Sequence, residues 1–138
     1  MTANEARRRK DTDRIGKWGE KMASRILKDK QYRILGKRVR VGTRDEIDIV
    51  ARDGEVLVFV EVKTRAMETF GRPASAVDRK KRHSLSRAAV RYLKRLGNPR
   101  LYFRFDVVEV IGEMNGPETR INHIENAFTL DSRYSLHL

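Results

Sequence analysis

Residues 46–65 read EIDIVARDGEVLVFVEVKTR, and they decide the fold because they place charged side chains inside two apolar strands. Residues 56–62 are almost all β-branched or aromatic, which is typical of a buried strand. Residues 47–50 predict a second short strand. The Asp-Gly pair at positions 53 and 54 predicts a type I′ hairpin loop of two residues. We therefore expect two antiparallel neighbours.

This predicted loop sets which side chains meet across the hairpin. Arg52 is expected opposite Glu55, so that Asp48 falls opposite Phe59. Because side chains alternate between the two faces of a strand, four charged residues are expected on one face. They are Glu46, Asp48, Glu61 and Lys63. Asp48 then lies diagonal to Glu61, with about 7–8 Å between their α-carbons.

Like-charged carboxylates across a strand pair destabilise a fold unless something compensates for them. Mg²⁺ or Mn²⁺ would do so, because hard cations take carboxylate oxygens as ligands. Lys63, two residues after Glu61, would then hold a phosphate oxygen or orient a water, which predicts a phosphodiesterase site. The alternative is a salt-bridge cluster of Asp48, Glu61 and Lys63 at the edge of the sheet.

Composition limits the class of protein. The chain has 138 residues, which suits one hydrophobic core. Its net charge of +12 favours a polyanionic partner, most simply a nucleic acid. The sequence has no cysteine, which is compatible with a reducing, cytoplasmic location. It has no apolar run near the ~20 residues of a membrane span, and its N-terminal residues do not resemble a secretory signal.

The first half of the chain predicts a tail, a helix and a strand. Residues 1–13 show no apolar periodicity and are expected to form a mobile tail. Apolar residues at helical spacing predict a helix over 13–29, with Glu20 at the border of its apolar stripe. Glu20 either faces the sheet or is an ordinary surface glutamate. Residues 32–41 predict the first strand, with one wetter face.

The second half predicts a loop, a helix and two further strands. Residues 64–75 are expected to form a loop, and Ser75 with Asp78 a capping pair for a helix that Gly97 ends. Residues 100–111 predict a strand parallel to residues 56–62, and 120–124 an edge strand. Asp106 is expected to be structural, and His123 and His137 to have surface or capping roles instead of binding a metal. A single domain over 14–130 is expected, with an irregular tail over 131–138.

Basic side chains follow the charged strands and cover the second predicted helix. Those expected to reach nucleic-acid phosphates are Arg65, Arg72, Arg79, Lys80, Lys81 and Arg82. Like-charge crowding on a helix is unfavourable, and a polyanion would relieve it. A solvated basic face is the alternative.

Several motifs in this order resemble the uncharacterised YraN-like family of bacterial proteins. The matching pieces are Gly19-Glu20, EIDIVARDG at 46–54, VFVEVKTR at 58–65, Phe70-Gly71 with Pro73, Lys81, RFDVV at 104–108, and His123 with Asn126-Ala127-Phe128. The family is grouped with Holliday-junction resolvases in the restriction-endonuclease-like, PD-(D/E)xK, nuclease superfamily. Gln31 and Asp45 depart from the family's usual glycine, and Arg38 from its usual asparagine. On a regular strand Asp45 would point away from Asp48.

The resemblance implies an α/β fold with a restriction-endonuclease-like core. The expected order is helix, three strands, helix, strand, with a mixed central sheet flanked by helices. It also implies that Glu20, Asp48, Glu61 and Lys63 hold the positions of a nuclease site. Asp48, Glu61 and the carbonyl of Val62 would bind Mg²⁺ or Mn²⁺, and Glu20 would act through water or as a base.

The function expected on this basis is a metal-dependent endonuclease of branched or structured DNA. A homodimer would suit a two-fold symmetric junction. Two alternatives stay open. One is a nucleic-acid-binding module that keeps the nuclease fold without turnover, and the other is an RNA- or ribosome-associated protein whose carboxylates are structural.

Overall fold

A computed structural model describes residues 1–66 and 77–130. The order of elements is α1 (Ala3–Asp29), β1 (Arg33–Val41), β2 (Asp45–Asp53), β3 (Val56–Arg65), α2 (Arg79–Arg95), β4 (Tyr102–Ile111) and β5 (Arg120–Phe128). The strands form one sheet in the order β1-β2-β3-β4-β5. Only the β3–β4 pair is parallel, and the other three pairs are antiparallel. The predicted α/β class, element order and mixed sheet are confirmed.

Each face of the sheet is covered by one helix. On one face, α2 packs Leu85, Ala89 and Leu93 against a core that includes Phe59 and Phe105. On the other face, α1 packs side chains against the alternate residues of the same strands, which are Ile49, Ala51, Val58, Val60, Val108 and Val110. The sheet is therefore the middle layer of three. Among the described helices, none is long and apolar enough to cross a membrane.

Helix α1 begins ten residues earlier than the sequence pattern predicted. Residues 3–13, expected to be a tail, form its first three turns. A capping box starts the helix, because Thr2 accepts a hydrogen bond from the Glu5 N–H while Glu5 accepts one from the Thr2 N–H. The expectation of a tail was wrong because these turns touch no core and so show no apolar periodicity.

The α1 helix ends in a Schellman motif whose left-handed residue is Gln31. The Gln31 N–H donates to the Lys28 carbonyl at 2.8 Å, and the Tyr32 N–H donates to the Leu27 carbonyl at 2.9 Å. This motif requires a positive φ, and Gln31 has φ of 69°. Glycine adopts such a φ without steric cost, whereas glutamine does so at a cost.

The hairpin between β2 and β3 has a different loop from the one predicted. Asp53 pairs with Val56, so the loop consists of Gly54 and Glu55 instead of Asp53 and Gly54. Only Gly54 has a positive φ, which is the pattern of a type II′ turn. The predicted pairing of Asp48 with Phe59 is therefore wrong. The observed register pairs Val50 with Phe59, and its continuation places Asp48 directly opposite Glu61.

Helix α2 begins at Arg79, with Asp78 as its N-cap. The Asp78 carboxylate accepts a hydrogen bond of 2.7 Å from the Lys81 N–H. Asp78 had been expected inside the first turn, but its short side chain suits the capping position better. The helix ends at Arg95, and Gly97, with φ of 85°, follows its C-cap Leu96 as the predicted stop. Ser75 and Arg72 lie outside the described residues, as do most of the predicted loop, the tail over 131–138 and His137.

Strand β5 extends to Phe128, and a bulge opposite Asp106 accommodates its extra residues. The register with β4 shifts between Phe105 and Val107, and Asn126 takes a φ of 52° there. The Asp106 carboxylate accepts a hydrogen bond of 3.0 Å from the Asn126 N–H, which the irregular ladder leaves available. Asp106 is thus a structural residue, in agreement with the prediction.

Candidate active site

The predicted site residues come together where the alternation of β2 is broken. Ile47 belongs to the core on the α2 side, whereas Ile49, two residues later, belongs to the core on the α1 side. Asp48 lies between them. Opposite it in β1, Arg38 has a positive φ of 48°, and these two residues are not among the paired residues of β1 and β2. The kink therefore brings Asp48 to the boundary between the two faces.

Asp48 and Glu61 form a hydrogen-bonded carboxyl pair. Burial raises the pKa of Asp48, and the nearby Glu20 charge raises it further. Burial, followed by the charge of Asp48, raises the pKa of Glu61 to about 7. One proton shared between the two carboxyl groups explains how like-charged side chains are tolerated at this position.

The same Asp48 carboxylate is fixed by the backbone of β3. Its Oδ2 accepts a hydrogen bond of 2.8 Å from the Val62 N–H. In an antiparallel pair the N–H and C=O of one residue point towards the same neighbour, so the Val62 carbonyl also faces the β2 side. Asp48 is thus held in a defined place and is not a freely rotating surface acid.

Lys63 lies on the face of the sheet that α2 covers. Leu57 and Phe59 pack on this face, whereas Val58 and Val60 pack on the other, and Glu61 and Lys63 continue the α2-side series. Lys63 is half-buried and pairs with Glu109 in the β3–β4 register. Glu61 contacts Lys81 of α2 on this face, and alternation places Lys63 beside it.

Glu20 reaches the site from α1, on the opposite face. The helix comes close to β3 because residue 19 is glycine, where a β-carbon would lie 2.2 Å from the Thr64 hydroxyl oxygen. Glu20 accepts a hydrogen bond of 2.8 Å from Nε of Arg38, and Nη1 of the same arginine donates to Asp13 at 3.1 Å. Glu20 is therefore near the carboxyl pair but is bound by an arginine.

The predicted convergence of three acidic side chains on one ion is not formed. Over residues 1–66 and 77–130, no three aspartate, glutamate or histidine side chains are arranged to hold a metal ion. The physical reason is the Arg38 guanidinium, which pairs with Glu20. The pair of half-buried Asp48 and buried Glu61 fits two ligands of a hard cation, because ionising both carboxyl groups requires a nearby positive charge.

The first turn of α2 brings a lysine to the carboxyl pair. Nζ of Lys81 lies 3.3 Å from Oε1 of Glu61 and lowers the pKa of both Asp48 and Glu61, against the effect of burial. The other basic residues of this turn are Arg79, Lys80 and Arg82, and all are exposed. Arg65 instead makes an ion pair of 3.4 Å with Glu109. The predicted basic surface is therefore centred on the start of α2.

A bidentate ion pair fixes α2 beside the site. Arg87 donates two hydrogen bonds of 2.7 Å to the Asp45 carboxylate, and both side chains are largely buried. Asp45 lines an open cleft of about 370 Å³ together with Asp48 and Lys81. The expectation that Asp45 points away from Asp48 was wrong, because the broken alternation of β2 turns both towards this cleft. The alternation of a regular strand did not predict the ion pair between Asp45 and Arg87.

A second polar cluster lies around Asp106 of β4, on the face of the sheet that α1 covers, and was missed from the sequence. Nε2 of His123 lies 2.8 Å from Asp106, and its Nδ1 lies 2.9 Å from Nζ of Lys30. Arg104 pairs with Asp106 at 3.0 Å and with Tyr32 at 2.6 Å. The His123 side chain is 1% exposed, so the surface role, one of the two expected for it, was wrong. These groups satisfy one another, and the cluster joins the end of α1 to β4 and β5.

The comparisons with known proteins agree with the motifs. The model of the Uncharacterised protein family UPF0102 matches residues 19–110, which include Glu20, Asp48, Glu61 and Lys63. The chain belongs to this family. The resemblance to YraN-like proteins is thereby confirmed, and the UPF0102 match begins at the glycine that packs α1 on β3.

UPF0102 relatives match over most of their length. The UPF0102 protein of Chlorobaculum tepidum is 44% identical over 123 residues, covering 86% of this chain and 95% of that protein. The UPF0102 protein of Symbiobacterium thermophilum is 46% identical over 117 residues, covering 83% and 96%. That of Geobacter sulfurreducens is 43% identical over 116 residues, covering 84% and 89%. None of these names states an activity.

Proposed function

We propose that this UPF0102 protein is a Mg²⁺- or Mn²⁺-dependent endonuclease of branched or structured DNA, with a restriction-endonuclease-like core. The observation that carries the proposal is the carboxyl pair of half-buried Asp48 and buried Glu61, beside Lys63 and the basic first turn of α2. Buried titratable groups with raised pKa values in a cleft are a feature of active sites. A salt-bridge cluster alone does not need two carboxyl groups in contact.

Each of the site residues would have a separate role in phosphodiester hydrolysis. Asp48 and Glu61 would hold the cation, with the Val62 carbonyl as a further ligand and Glu20 acting through water. The cation would supply an activated water and neutralise charge on the phosphate. Lys63 would stabilise the negative charge that builds up on the phosphate oxygens. Lys81 and its neighbours at the start of α2 would bind the backbone next to the scissile bond.

The second candidate is a nucleic-acid-binding module without turnover. The contact that favours it is the ion pair between Arg38 and Glu20, which leaves two acids at the site instead of three. In that case Lys81 and Glu61 form a permanent ion pair. Binding would then fall steeply with salt, and no strand would be cut.

The test is cleavage of a DNA panel by the purified protein. Linear, nicked, flapped and four-way DNAs are incubated with Mg²⁺, Mn²⁺ or chelator, with a matched single-stranded and structured RNA as competitors. We expect strand cutting that needs the cation and prefers branched DNA. Asp48→Asn should lower the cutting rate by about 100-fold or more, whereas Glu55→Gln, in the exposed hairpin loop, should not change it.

The outcomes separate the two candidates. Cutting by Asp48→Asn at the parent's rate would refute the site. Salt-sensitive binding of the panel without any cut in Mg²⁺ or Mn²⁺ would favour the module without turnover. Stronger competition by RNA than by branched DNA would move the substrate class to RNA.

A further inference from the structure

Helix α1 carries an unbroken row of basic side chains along one side. The row, here called the α1 stripe, consists of Arg7, Lys10, Arg14, Lys17, Lys21, Arg25 and Lys28, all of which are exposed. Successive members are three or four residues apart. At 100° per residue, they fall within an arc of about 80°. The acidic residues of α1 lie outside this arc.

Nothing in the fold accounts for this arrangement. Like charges at three- and four-residue spacing destabilise a helix. Within the described part of the chain, the ion pairs of the stripe are those of Arg14 with Asp11 at 3.8 Å and of Lys17 with Asp13 at 3.2 Å, and both are exposed. Exposed pairs of this kind contribute little. The repulsion along the stripe is therefore largely uncompensated within the molecule.

The first turns of α1 add to the stripe without adding to the core. Residues 3–13 are exposed apart from Ala6, which is half-buried, while the buried residues of α1 begin at Gly19. The capping box at Thr2 and Glu5 nevertheless keeps these turns helical. The sequence thus maintains about three helical turns that present Arg7 and Lys10 to solvent.

We propose that the α1 stripe is a second nucleic-acid contact, which binds the phosphate backbone of a duplex. The stripe spans about 32 Å at 1.5 Å per residue, close to one helical turn of B-DNA. Glu20 lies about 60° from Lys17 around the helix. The stripe therefore runs next to the acid that reaches the carboxyl pair from α1. This contact shares the nucleic-acid partner with the proposed function but does not depend on catalysis.

A membrane surface is the other polyanion that such a helix fits, and the packing argues against it. Membrane-surface helices insert an apolar face beside their basic face. On α1, Trp18, Met22 and Ile26 pack against the sheet-side core. Among the large apolar side chains of α1, Ile15 is the exposed one, with 41% of its surface accessible. The helix has no free apolar face to insert.

The test compares two double substitutions in the same turns of the helix. Arg7→Gln with Lys10→Gln removes two charges from the stripe, and Arg8→Gln with Arg9→Gln removes two charges that point more than 100° from its centre. A third pair, Lys21→Gln with Lys28→Gln, samples the other end of the stripe. Glutamine has a similar helix propensity to lysine and arginine, so circular dichroism should be unchanged.

Binding is measured in chelator by fluorescence anisotropy on a duplex of roughly 21 base pairs, about two turns. Salt is varied over about 0.05–0.5 M to obtain the slope of log K against log salt. We expect each stripe pair to weaken binding by about eightfold per lost phosphate contact at 0.1 M salt and to reduce the slope by about 0.9 per contact. The Arg8 and Arg9 pair should leave the slope unchanged.

Equal effects of the on-stripe and off-stripe pairs would overturn the proposal, since only net charge would then matter. So would unchanged duplex binding together with stripe-dependent binding to vesicles of phosphatidylcholine and phosphatidylserine. Because chelator prevents cutting, failure of the nuclease assay leaves this result intact. A failed stripe test, in turn, leaves the assignment of Asp48 and Glu61 untouched.

Discussion

Glu20 of α1 accepts a 2.8 Å hydrogen bond from Nε of Arg38, and Glu20 is also close enough to Asp48 to raise the pKa of that carboxyl. Arg38 therefore neutralises the acid that would complete a three-carboxylate site. It does so from a left-handed backbone position with φ of 48°, where asparagine is better tolerated than arginine.

Arg38→Asn should strengthen cation binding at the site. The substitution frees Glu20 and removes a positive charge next to Asp48, so the Mn²⁺ titration midpoint should move to lower concentration by about tenfold. Isothermal titration calorimetry on the folded protein measures this directly. Arg38→Lys is the matched control, because it keeps the charge, and it should leave the midpoint near that of the parent. Weaker binding by Arg38→Asn would show that Glu20 takes no part.

Glu61→Gln should change how stability depends on pH. The pKa of Glu61 is about 7 in the folded protein against an ordinary value of 4.5, so the folded state holds its proton more tightly. The contribution of the Glu61 carboxyl to the free energy of unfolding is fully present below about pH 4.5 and is lost as pH rises through 7. The free energy of unfolding of Glu61→Gln minus that of the parent should therefore be a few kcal/mol higher at pH 8 than at pH 5, at about 1.4 kcal/mol per pKa unit.

Urea unfolding in chelator at the two pH values checks this, with Glu55→Gln as the exposed control. A Glu61→Gln difference that is the same at pH 5 and pH 8 would contradict a protonated pair. Added Mn²⁺ should stabilise the parent at pH 8 and should stabilise Glu61→Gln less, since binding the cation requires both carboxylates to be ionised.

Gln31→Gly should stabilise the protein. Gln31 has φ of 69° in the Schellman motif at the end of α1, where a β-carbon is unfavourable. We expect a gain of about 1 kcal/mol in the free energy of unfolding, measured with urea. Gln31→Ala removes the same side-chain atoms beyond the β-carbon but keeps that carbon, so it should give no such gain. Equal effects of the two substitutions would rule out backbone strain as the cause.

Asp106→Ala should be strongly destabilising. The Asp106 carboxylate is fully buried and serves Arg104, His123 and the Asn126 N–H. Removing it leaves buried donors without an acceptor, which typically costs about 3–5 kcal/mol. Asp53→Ala removes the other carboxylate on Arg104, but that side chain is 42% exposed and the loss should be about 1 kcal/mol or less. Thermal or urea unfolding of the two variants gives the comparison.

Local sequence signals predicted the elements whose causes are local. The Gly97 end of α2 and the apolar run of β3 follow from single residues and from strand periodicity. The capping box at Thr2 and Glu5 is also a local signal, and it would have given the start of α1. Apolar periodicity missed it because those turns are solvated all round.

Features that depend on tertiary contacts were not predictable in this way. Asp53 stays in β2 instead of entering the loop, and its carboxylate contacts Arg104, 51 residues away in the sequence. The kink at Asp48 depends on Arg38, which lies opposite it in β1. The burial of His123 depends on its contacts with Asp106 and Lys30. For the site, strand alternation placed Asp48 and Glu61 together, since a register shift of two residues keeps every side chain on its face.

The parallel pairing of β3 with β4 affects the order in which the molecule is built. β2 and β3 are joined by a two-residue loop and can zip together within microseconds, whereas β4 must wait for α2 to be made and to cross over. We expect a nascent chain to form the Asp48–Glu61 hairpin early, with the open side of β3 unpaired. Until β4 pairs with it, this edge of β3 has unpaired backbone N–H and C=O groups and can form non-native strand pairs while the chain is still on the ribosome.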